Sequence, residues 1–389
     1  MSNCASTLRY GLTACLLLLI VFSCQQPARV SKIQKVQRFA DSIAQADSLP
    51  GISIAYMFSD QTPQTIVSGF ADTEDQLPME SGMLLLSGSI GKTYVAALVL
   101  RFYELGLINL NKPVKEYLLD EKWYDSLPNA ATITPVHLLQ HTSGLERYEF
   151  KKAVWDSISL RPEKEWTVAE RMTLLVHDAP LNAAGEAFSY SDANYILLGA
   201  LLERISGRDY YALVADSILQ PMHLHETMPS DRQEITGLVS AYTAFSGQFQ
   251  IPVKVADNQK LCFNPQMEWT GGGMANTPSD LCRWAQKLYG GKYLSDSTLN
   301  LMIHPATFET GISDSASYGM GCIIWKPGTT EVSYGHTGFF PGFRSIIRYY
   351  PQHKLAIAFQ TNTDKLPPEA SLAKYTGHIK QLILDEIPL

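Results

Sequence analysis

The sequence contains no long run of lysine or arginine. Its 389 residues carry 31 basic and 38 acidic side chains, so the formal net charge is −7. Proteins that bind nucleic acid through its phosphates present a concentrated basic patch or stripe. The charge pattern gives no sign of a nucleic-acid partner, and we expect none.

Cysteine is also scarce and widely spaced. Six cysteines are present without a C-x-x-C, and only three of them lie beyond the first 24 residues: Cys262, Cys282 and Cys322. An odd number at wide spacing argues against a disulfide framework, although one bridge among the three stays open. Without paired ligand motifs, the sequence predicts no structural metal site.

The longest apolar stretch of the N-terminus covers only residues 11–22, which is too short for a comfortable transmembrane span. Arg9 is the only charge in the first 28 residues, and the stretch ends in a small residue followed by Cys24. This arrangement resembles a bacterial lipoprotein signal. We therefore expect Cys24 to be the lipidated first residue of the mature protein.

This reading divides the chain into a signal peptide at 1–23, a tether at 24–31 and a single domain at 32–389. An ordinary cleaved signal and an uncleaved N-terminal anchor are the alternatives. All three place the body outside the cytoplasm, so we expect an extracytoplasmic protein on the periplasmic side, attached to the membrane through its N-terminal lipid.

Apolar spacing predicts strands near both ends of the chain and helices between them. The expected elements are helices at 31–47, 192–206 and 369–384, helices starting at 134–135 and after 277–278, and strands at 51–57, 65–70, 318–326, 331–336, 343–350 and 355–360. This order indicates an α+β fold within the broad α/β class. One central antiparallel sheet would be built from both chain ends and flanked by helices, with a mainly helical subdomain at about 109–232.

Ser89 and Lys92 stand three residues apart, between apolar runs at 83–86 and 94–100. If the second run is a helix ending near Gly106, both side chains lie on one face of its first turn. Serine needs a base to become a nucleophile, and lysine can serve only where its surroundings lower its pKa. The helix N-terminus would also favour an oxyanion. S-x-x-K alone is nevertheless weak evidence, because chance copies are common.

Two further constellations lie far along the chain. Tyr190 precedes a predicted helix, where a nearby lysine could loosen its proton for acid–base work. Taken alone, Tyr190 is better explained as a packed side chain, and Asp192 is better explained as a helix cap.

The other constellation is His336-Thr337-Gly338-Phe339, at the end of a predicted strand. Its glycine would let a substrate backbone approach, and the N–H groups beyond it could hold an oxyanion. A histidine on a strand beside a turn is the ordinary alternative.

In combination, these motifs resemble the active-site pattern of the serine beta-lactamase and penicillin-binding-protein superfamily: S-x-x-K, then Y-x-N, then K-T-G or H-x-G. Other stretches resemble landmarks of the class C beta-lactamase-related branch, at residues 133–145, 271–274, 277–280 and 338–343. The resemblance covers residues 35 to 385 and implies the beta-lactamase/transpeptidase-like fold.

The resemblance also implies roles. Ser89 would form the acyl-enzyme, Lys92 would accept or orient its proton, and Tyr190 would be the general acid/base. The backbone N–H groups of Ser89 and Phe339 would hold the oxyanion. Asp192, His336, Thr337 and Gly338 would complete the substrate-binding edge. No metal or organic cofactor is needed, and the substrate would be a small molecule or peptide.

Two positions depart from the family pattern. Asp192 stands where the family has asparagine, and His336 replaces the lysine of true class C beta-lactamases. Both changes weaken the case for efficient beta-lactam hydrolysis and favour a D-peptidase or esterase. Arg344 could restore a cation, but we expect it to be a solvent-facing strand residue. The alternative function is a binding or scaffold protein that keeps the fold but no longer turns over a substrate. The oligomeric state is open.

Three other motifs fail. Residues 91–93 resemble the end of a phosphate-binding loop, but Leu86 replaces its first glycine. His137 and His141 have zinc-ligand spacing, but leucine replaces the glutamate between them. Ser89 is not in a G-x-S-x-G elbow, because Ser87 holds the first glycine position.

Overall fold

The computed structural model describes residues 31–312, 315–367 and 371–385. The signal peptide predicted at 1–23, and the tether predicted at 24–31 except for its last residue, lie outside these residues. The described strands are β1 Gly51–Phe58, β2 Gln64–Asp72, β3 Leu77–Pro78, β4 Leu85–Leu86, β5 Thr227–Pro229, β6 Ala241–Tyr242, β7 Lys254–Asp257, β8 Lys260–Leu261, β9 Met274–Asn276, β10 Ala316–Tyr318, β11 Ile323–Trp325, β12 Ser333–Phe340, β13 Phe343–Tyr350 and β14 Leu355–Thr361.

The α-helices are α1 Lys32–Ala46, α2 Lys92–Glu104, α3 Pro135–Leu139, α4 Lys152–Leu160, α5 Val168–Thr173, α6 Asp192–Ser206, α7 Tyr210–Val214, α8 Ser246–Phe249, α9 Pro278–Tyr289, α10 Asp296–Met302 and α11 Leu372–Leu384. Shorter 3-10 turns lie between them, including Gly88–Gly91 at the start of α2. The helices α3 to α7 all fall inside the range predicted to be helical.

The main sheet has eight antiparallel strands in the order β10-β11-β12-β13-β14-β1-β2-β3. The two ends of the chain meet at its centre, where Ile52 of β1 lies opposite Thr361 of β14. Nearly every residue of β1 and β14 is buried, because helices cover both faces of the sheet. The predicted sheet built from both chain ends is therefore confirmed.

Each face of the sheet packs against its own set of helices. On one face, α1 and α11 bury Val36 and Ile379 against Ile346 and Ile357. On the other, α9 packs against β1 and β14, and α2 and α6 pack against each other. The apolar spacing that predicted α1, α6 and α9 thus corresponds to faces that are buried in the structure.

Strand boundaries near the C-terminus differ from the prediction. The single strand expected at 318–326 was wrong. Gly321 adopts a φ of +74°, and the chain turns there between the short antiparallel strands β10 and β11. The strand expected to end at His336 continues to Phe340, and its hairpin with β13 turns at Pro341-Gly342 as predicted.

Two small three-stranded sheets were not predicted, β4-β9-β5 and β6-β7-β8. Their strands are two to four residues long, too short to carry an alternating pattern. The bridge left open among Cys262, Cys282 and Cys322 is not formed, because all three are free. Among the described residues, no helix is long and apolar enough to cross a membrane.

Candidate active site

Ser89 lies in the 3-10 turn Gly88–Gly91, and the α-helix itself begins at Lys92. This differs from the prediction that both residues share the first α-helical turn, yet their side chains do meet: the Nζ of Lys92 donates to the Oγ of Ser89 over 3.1 Å. The turn needs glycine, because a Cβ on Gly88 would lie 2.7 Å from the backbone N of Phe339.

Lys92 is fully buried and carries its own counter-ion. Its Nζ lies 2.5 Å from Oδ1 of Asp192 and also donates to the carbonyl of Gly271. Burial lowers the pKa of Lys92, but the negative charge of Asp192 outweighs it and the net pKa is raised. The lowered pKa that a lysine base requires is therefore absent from the resting site, and Lys92 is held as an ammonium.

Tyr190 faces the same ammonium. The Nζ of Lys92 lies 5.0 Å from the centroid of its ring, and the Cζ of Arg147 lies 5.3 Å away. Its hydroxyl is buried and faces the side chains of Ser89 and Lys92, but makes no hydrogen bond of ordinary geometry to the described residues. Burial raises the pKa of Tyr190, and the charge of Lys92 opposes the rise. The hydroxyl is thus a protonated group with free hydrogen-bonding capacity.

The alternative in which Asp192 caps a helix is wrong. Ser191 is the N-cap of α6, and its side chain accepts from the backbone N of Ala193. Asp192 occupies the first helical position, and a Cβ on Gly271 would lie 3.3 Å from its carboxyl carbon. Its carboxylate is therefore free of the helix end and available to Lys92.

His141 is a site residue that the sequence suggested only as a zinc ligand. Its ring lies 4.1 Å from the ring of Tyr190, centroid to centroid, and is fully buried. Its Nδ1 accepts from the backbone N of Ser191 over 3.2 Å and lies 2.9 Å from the amide of Asn194. His141 therefore holds the segment that carries Tyr190, and burial lowers its pKa well below the usual value. The zinc partner considered for it, His137, instead accepts from the backbone N of Thr134 at a helix start.

The third motif lies on the part of β12 that extends beyond β11. Pairing with β11 ends at Gly335, so residues 336–340 pair only with β13 and turn their other edge toward Ser89. Gly338 is required there, because a Cβ would lie 1.8 Å from the carbonyl of Ser87. The strand edge and the Ser89 turn are consequently in direct contact, as an oxyanion hole formed by the two backbones requires.

His336 is buried and both of its ring nitrogens have protein partners. Nδ1 donates to the carbonyl of Thr337 over 2.6 Å, and the hydroxyl of Tyr318 lies 2.9 Å from Nε2. Burial lowers the pKa of His336 to about 3, so the ring is neutral. It supplies no cation for a substrate carboxylate. Thr337, by contrast, is exposed on the same edge.

Ser89 opens into a cleft of about 510 Å³, counting the space at its mouth. The walls are mostly aromatic and also carry Arg147 and three carboxyl groups, those of Glu149, Asp192 and Glu268. Phe150, Trp155, Phe249, Phe263 and Phe339 supply the aromatic surface. A cleft of this kind suits an acyl group with an apolar body and one polar substituent.

One carboxyl group of the cleft, that of Glu149, has an oxygen without a donor among the described residues. The Nε of Arg147 donates to Oε1 of Glu149 over 2.7 Å, while Oε2 is buried without a partner. Burial, with the charge of Asp192, raises the pKa of Glu149 and raises that of Glu268 to about 8. Neither residue belongs to a motif weighed in the sequence, so only the fold reveals them.

Arg344 is not the solvent-facing residue that we expected. It is half-buried, its guanidinium lies 4.6 Å from the ring centroid of Phe339, and its Nε donates to the carbonyl of Asp364. It therefore supports the cleft wall at Phe339 rather than projecting into water.

A mixed sheet-and-helix fold that joins a serine, a lysine and a tyrosine at the edge of a strand defines the class of penicillin-recognising serine hydrolases. A family model described as Beta-lactamase matches residues 36–380. The chain belongs to the beta-lactamase family and is a serine hydrolase. In the described residues, no three His, Cys, Asp or Glu side chains are grouped to hold a metal ion.

Individual relatives are distant but cover most of the chain. The D-alanyl-D-alanine-carboxypeptidase/endopeptidase AmpH of Escherichia coli K12 is 22% identical over 322 residues, which is 78% of either chain. A D-stereospecific amidohydrolase from Streptomyces sp. superposes with a TM-score of 0.74 at 24% identity, over 91% of this chain and 98% of the other.

The D-amino acid amidase of Ochrobactrum anthropi SV3, in complex with L-phenylalanine amide, gives a TM-score of 0.77 at 21% identity, over 92% of this chain and all of the other. These two structural likenesses concern the fold. What either protein acts on bears on this chain only as a hypothesis.

Proposed function

We propose that the protein hydrolyses the amide or ester of an amino acid through an acyl-enzyme on Ser89, and that D-amino acid derivatives are its substrates. The observation that carries this proposal is the 3.1 Å contact between the Oγ of Ser89 and the Nζ of Lys92 at the mouth of the aromatic cleft. The D-preference is suggested by the distant relatives, which include a D-amino acid amidase.

In the proposed acylation, Lys92 stays an ammonium and does not act as the base, and the net charge of the site does not change. The Oγ of Ser89 attacks the carbonyl carbon and passes its proton to the hydroxyl of Tyr190, which passes its own proton to the leaving amine. The Lys92 ammonium holds the Oγ in place, and the backbone N–H groups of Ser89 and Phe339 stabilise the oxyanion. In deacylation, a water molecule attacks the acyl carbon and passes a proton to the hydroxyl of Tyr190. Tyr190 passes its own proton to the Oγ of Ser89 as the acyl–oxygen bond breaks and the acid leaves.

The charge distribution supports a substrate with a free amino group. Glu149 offers a buried oxygen without a donor among the described residues. Burial and the charge of Asp192 raise the pKa of Glu268 to about 8, although the Lys92 ammonium opposes the rise. A substrate ammonium would supply the missing donor. His336 is neutral, so a substrate carboxylate would find no fixed cation there. This contrast favours aminoacyl amides or esters over beta-lactams and C-terminal D-peptides.

The test compares D-phenylalanine amide with its N-acetyl form. We expect kcat/KM to favour the free amine by about 10- to 100-fold, the range for a lost charge-assisted hydrogen bond. Glu149→Gln should remove most of that preference, while Glu146→Gln, an exposed glutamate three residues earlier, should keep it. Equal turnover of both amides would contradict the ammonium site but leave the serine chemistry standing.

The serine chemistry has its own test. Ser89→Ala should abolish the mass increase produced by a serine-reactive fluorophosphonate. Ser87→Ala is the matched control, because that buried hydroxyl only bonds the carbonyl of Met274. Labelling of Ser89→Ala at the wild-type rate would place the nucleophile elsewhere.

A second candidate function is binding without turnover. It is favoured by the buried ion pair between Lys92 and Asp192, which holds the lysine charged. A burst of product from an activated ester, with an acyl-enzyme mass shift, would exclude a pure binding protein. Absence of both would exclude the hydrolase proposal.

We also propose that the protein is extracytoplasmic and held at the membrane by a lipid on Cys24. The support is the short apolar stretch that ends at this cysteine. Cys24→Ala should move the protein from the membrane fraction to the soluble fraction, whereas Cys15→Ala should leave it there. Retention of Cys24→Ala in the membrane fraction would favour an uncleaved anchor.

A further inference from the structure

A second cleft lies far from Ser89 in the sequence, where α11 packs beside β13. It encloses about 750 Å³, counting its open mouth, and we call it the rear cleft. Its walls come from α11, from β13 and from residues Lys326 and Glu331 on either side of the turn that precedes β12. None of its lining residues belongs to the catalytic cleft.

Arg348 of β13 is the buried cation of the rear cleft. It is 8% exposed and has no carboxylate partner in the described residues. Nε and Nη2 both donate to the Oγ of Ser333, and Nη1 donates to the carbonyl of Ala373. A guanidinium has five N–H donors, so two are left for another acceptor. Its Cζ also lies 4.7 Å from the ring centroid of Trp325.

The side chains around Arg348 add to its charge. Lys326, Lys374 and Lys380 also line the rear cleft. Among the described residues, Glu331 is the only acidic one that lines it, and it is paired with Lys380. The whole chain has a formal net charge of −7. A concentration of four cations around one carboxylate is therefore a local feature and does not follow from the composition.

Two further features of the rear cleft suit a bound ligand. The hydroxyl of Tyr350, a lining residue that is 3% exposed, is buried and makes no hydrogen bond of ordinary geometry to the described residues. Gly377 lies inside α11, where glycine weakens a helix by about 0.5–1 kcal/mol relative to alanine, yet a Cβ built on it meets nothing within 4 Å. No packing contact demands that glycine, and its absent side chain leaves the cleft open.

We propose that the rear cleft binds a phosphate group, held by the free N–H donors of Arg348 and by the surrounding ammonium groups. A guanidinium fork matches the oxygens of a tetrahedral oxyanion, and lysines add charge without fixed geometry. The Tyr350 hydroxyl supplies one more donor. Free phosphate and the phosphodiester of a lipid headgroup share this chemistry, and the experiment below separates them.

The first arm titrates the purified protein with inorganic phosphate, with chloride balancing the ionic strength, and follows the melting temperature. We expect a saturable rise of at least ~3 °C, the effect of a ligand at many times its Kd. Arg348→Met should lose the rise. Lys152→Met, which removes an exposed lysine of α4, should keep it. A rise that is unsaturable, absent, or equal in Arg348→Met would overturn the proposal.

Substitutions at Gly377 change the volume of the rear cleft without changing its charge. Gly377→Ala should leave the phosphate-induced rise intact, and Gly377→Phe should abolish it by filling the cleft. Both should keep normal Ser89 labelling by the fluorophosphonate, which shows that they are folded. Full phosphate response in Gly377→Phe would contradict the assigned position of the site.

The second arm identifies the source of the phosphate. The protein without its N-terminal 31 residues is floated with vesicles of phosphatidylglycerol or of phosphatidylcholine. Binding to the anionic vesicles that Arg348→Met abolishes would assign a lipid headgroup. A saturable melting response to phosphate without flotation would assign a soluble phosphate. Flotation equal in wild type and Arg348→Met would show that lipid binding does not use this cleft.

Discussion

Lys92 and Arg348 are both buried cations, and they differ in what compensates them. Lys92 is paired with the carboxylate of Asp192, and its pKa is raised. Among the described residues, Arg348 donates only to hydroxyl and carbonyl acceptors, and burial lowers its pKa. A buried cation that is paired with a carboxylate is neutralised inside the protein and stays charged. A buried cation without such a partner can be neutralised by a bound anion. Variants that remove each charge, or its neighbours, test this comparison.

The largest effect is expected for Lys92→Met. It leaves Asp192 as an unpaired buried charge, so we expect a loss of about 3–5 kcal/mol in the free energy of unfolding. The rate of Ser89 acylation should fall at least ~10³-fold, as for a residue acting within a catalytic unit. Denaturant melts and labelling rates measure the two effects.

The control is the double variant Lys92→Met with Asp192→Asn, which removes both charges. It should recover most of the lost stability and none of the activity. If the double variant is no more stable than Lys92→Met alone, the ion pair does not account for the stability of this region.

Glu268→Gln tests whether the Glu268 carboxyl, which lies near the Lys92–Asp192 ion pair, keeps its proton in the folded protein. Burial raises the pKa of Glu268 to about 8, from an ordinary value of 4.5. Its contribution to stability is complete below pH 4.5 and is lost as the pH rises toward 8, because the folded protein then retains a proton that the unfolded chain has released. Removing the group should therefore flatten the decline in stability across this window and stabilise the protein above pH 8, by on the order of 5 kcal/mol.

Thermal or urea unfolding at pH 5 and pH 9 measures the change. Glu165→Gln, at an exposed position, is the matched control and should leave the pH dependence unaltered. An unchanged slope between these pH values in Glu268→Gln would mean that this carboxyl ionises normally.

Asp192→Asn restores the residue type of the family pattern at this position. It removes the charge that raises the pKa of Lys92 and leaves the burial that lowers it. We expect the pH at which the acylation rate is half-maximal, which follows the ionisation of Lys92, to move down by about one unit or more. Each unit corresponds to ~1.4 kcal/mol of interaction with the charged lysine. The pH profile of the labelling rate is the measurement, and an upward shift would contradict the assignment.

Arg348→Met should have the smallest effect on stability. Replacing an uncompensated buried cation with an apolar side chain of similar length is often neutral, so we expect a change within ~1 kcal/mol in a phosphate-free chloride buffer. Urea unfolding measures it beside Lys92→Met. A loss as large as that of Lys92→Met would remove the distinction between the two cations.

Much of the fold was predictable because its elements have long, regular apolar patterns. The helices α1, α6 and α9 and the strands β1, β13 and β14 follow the expected boundaries closely. The hairpin β10–β11 was missed because its apolar core reads as one strand, and only the positive φ of Gly321 separates its halves.

The active site was predictable where its chemistry lies in short motifs. Ser89 and Lys92 come together as their spacing suggested, and Tyr190 joins them as the family resemblance implied. Glu149 and Glu268 could not be found in this way, because their importance comes from burial beside Asp192 rather than from neighbours in sequence. The charge state of Lys92 was likewise invisible, since it depends on a carboxylate that lies 100 positions away.

The position of β14 also has a consequence for folding during synthesis. This strand is synthesised last of the fourteen described, yet it lies between β13 and β1, and Thr361 bonds to a carbonyl 310 positions earlier. Until β14 has been synthesised, the apolar edge of the β1–β2 hairpin has no strand to pair with. Pairing between strands that are far apart in sequence slows folding and leaves apolar surface exposed to aggregation. We expect the nascent chain to rely on chaperones until Leu355–Thr361 has emerged, and a chain stopped short of Leu355 to aggregate rather than fold in part.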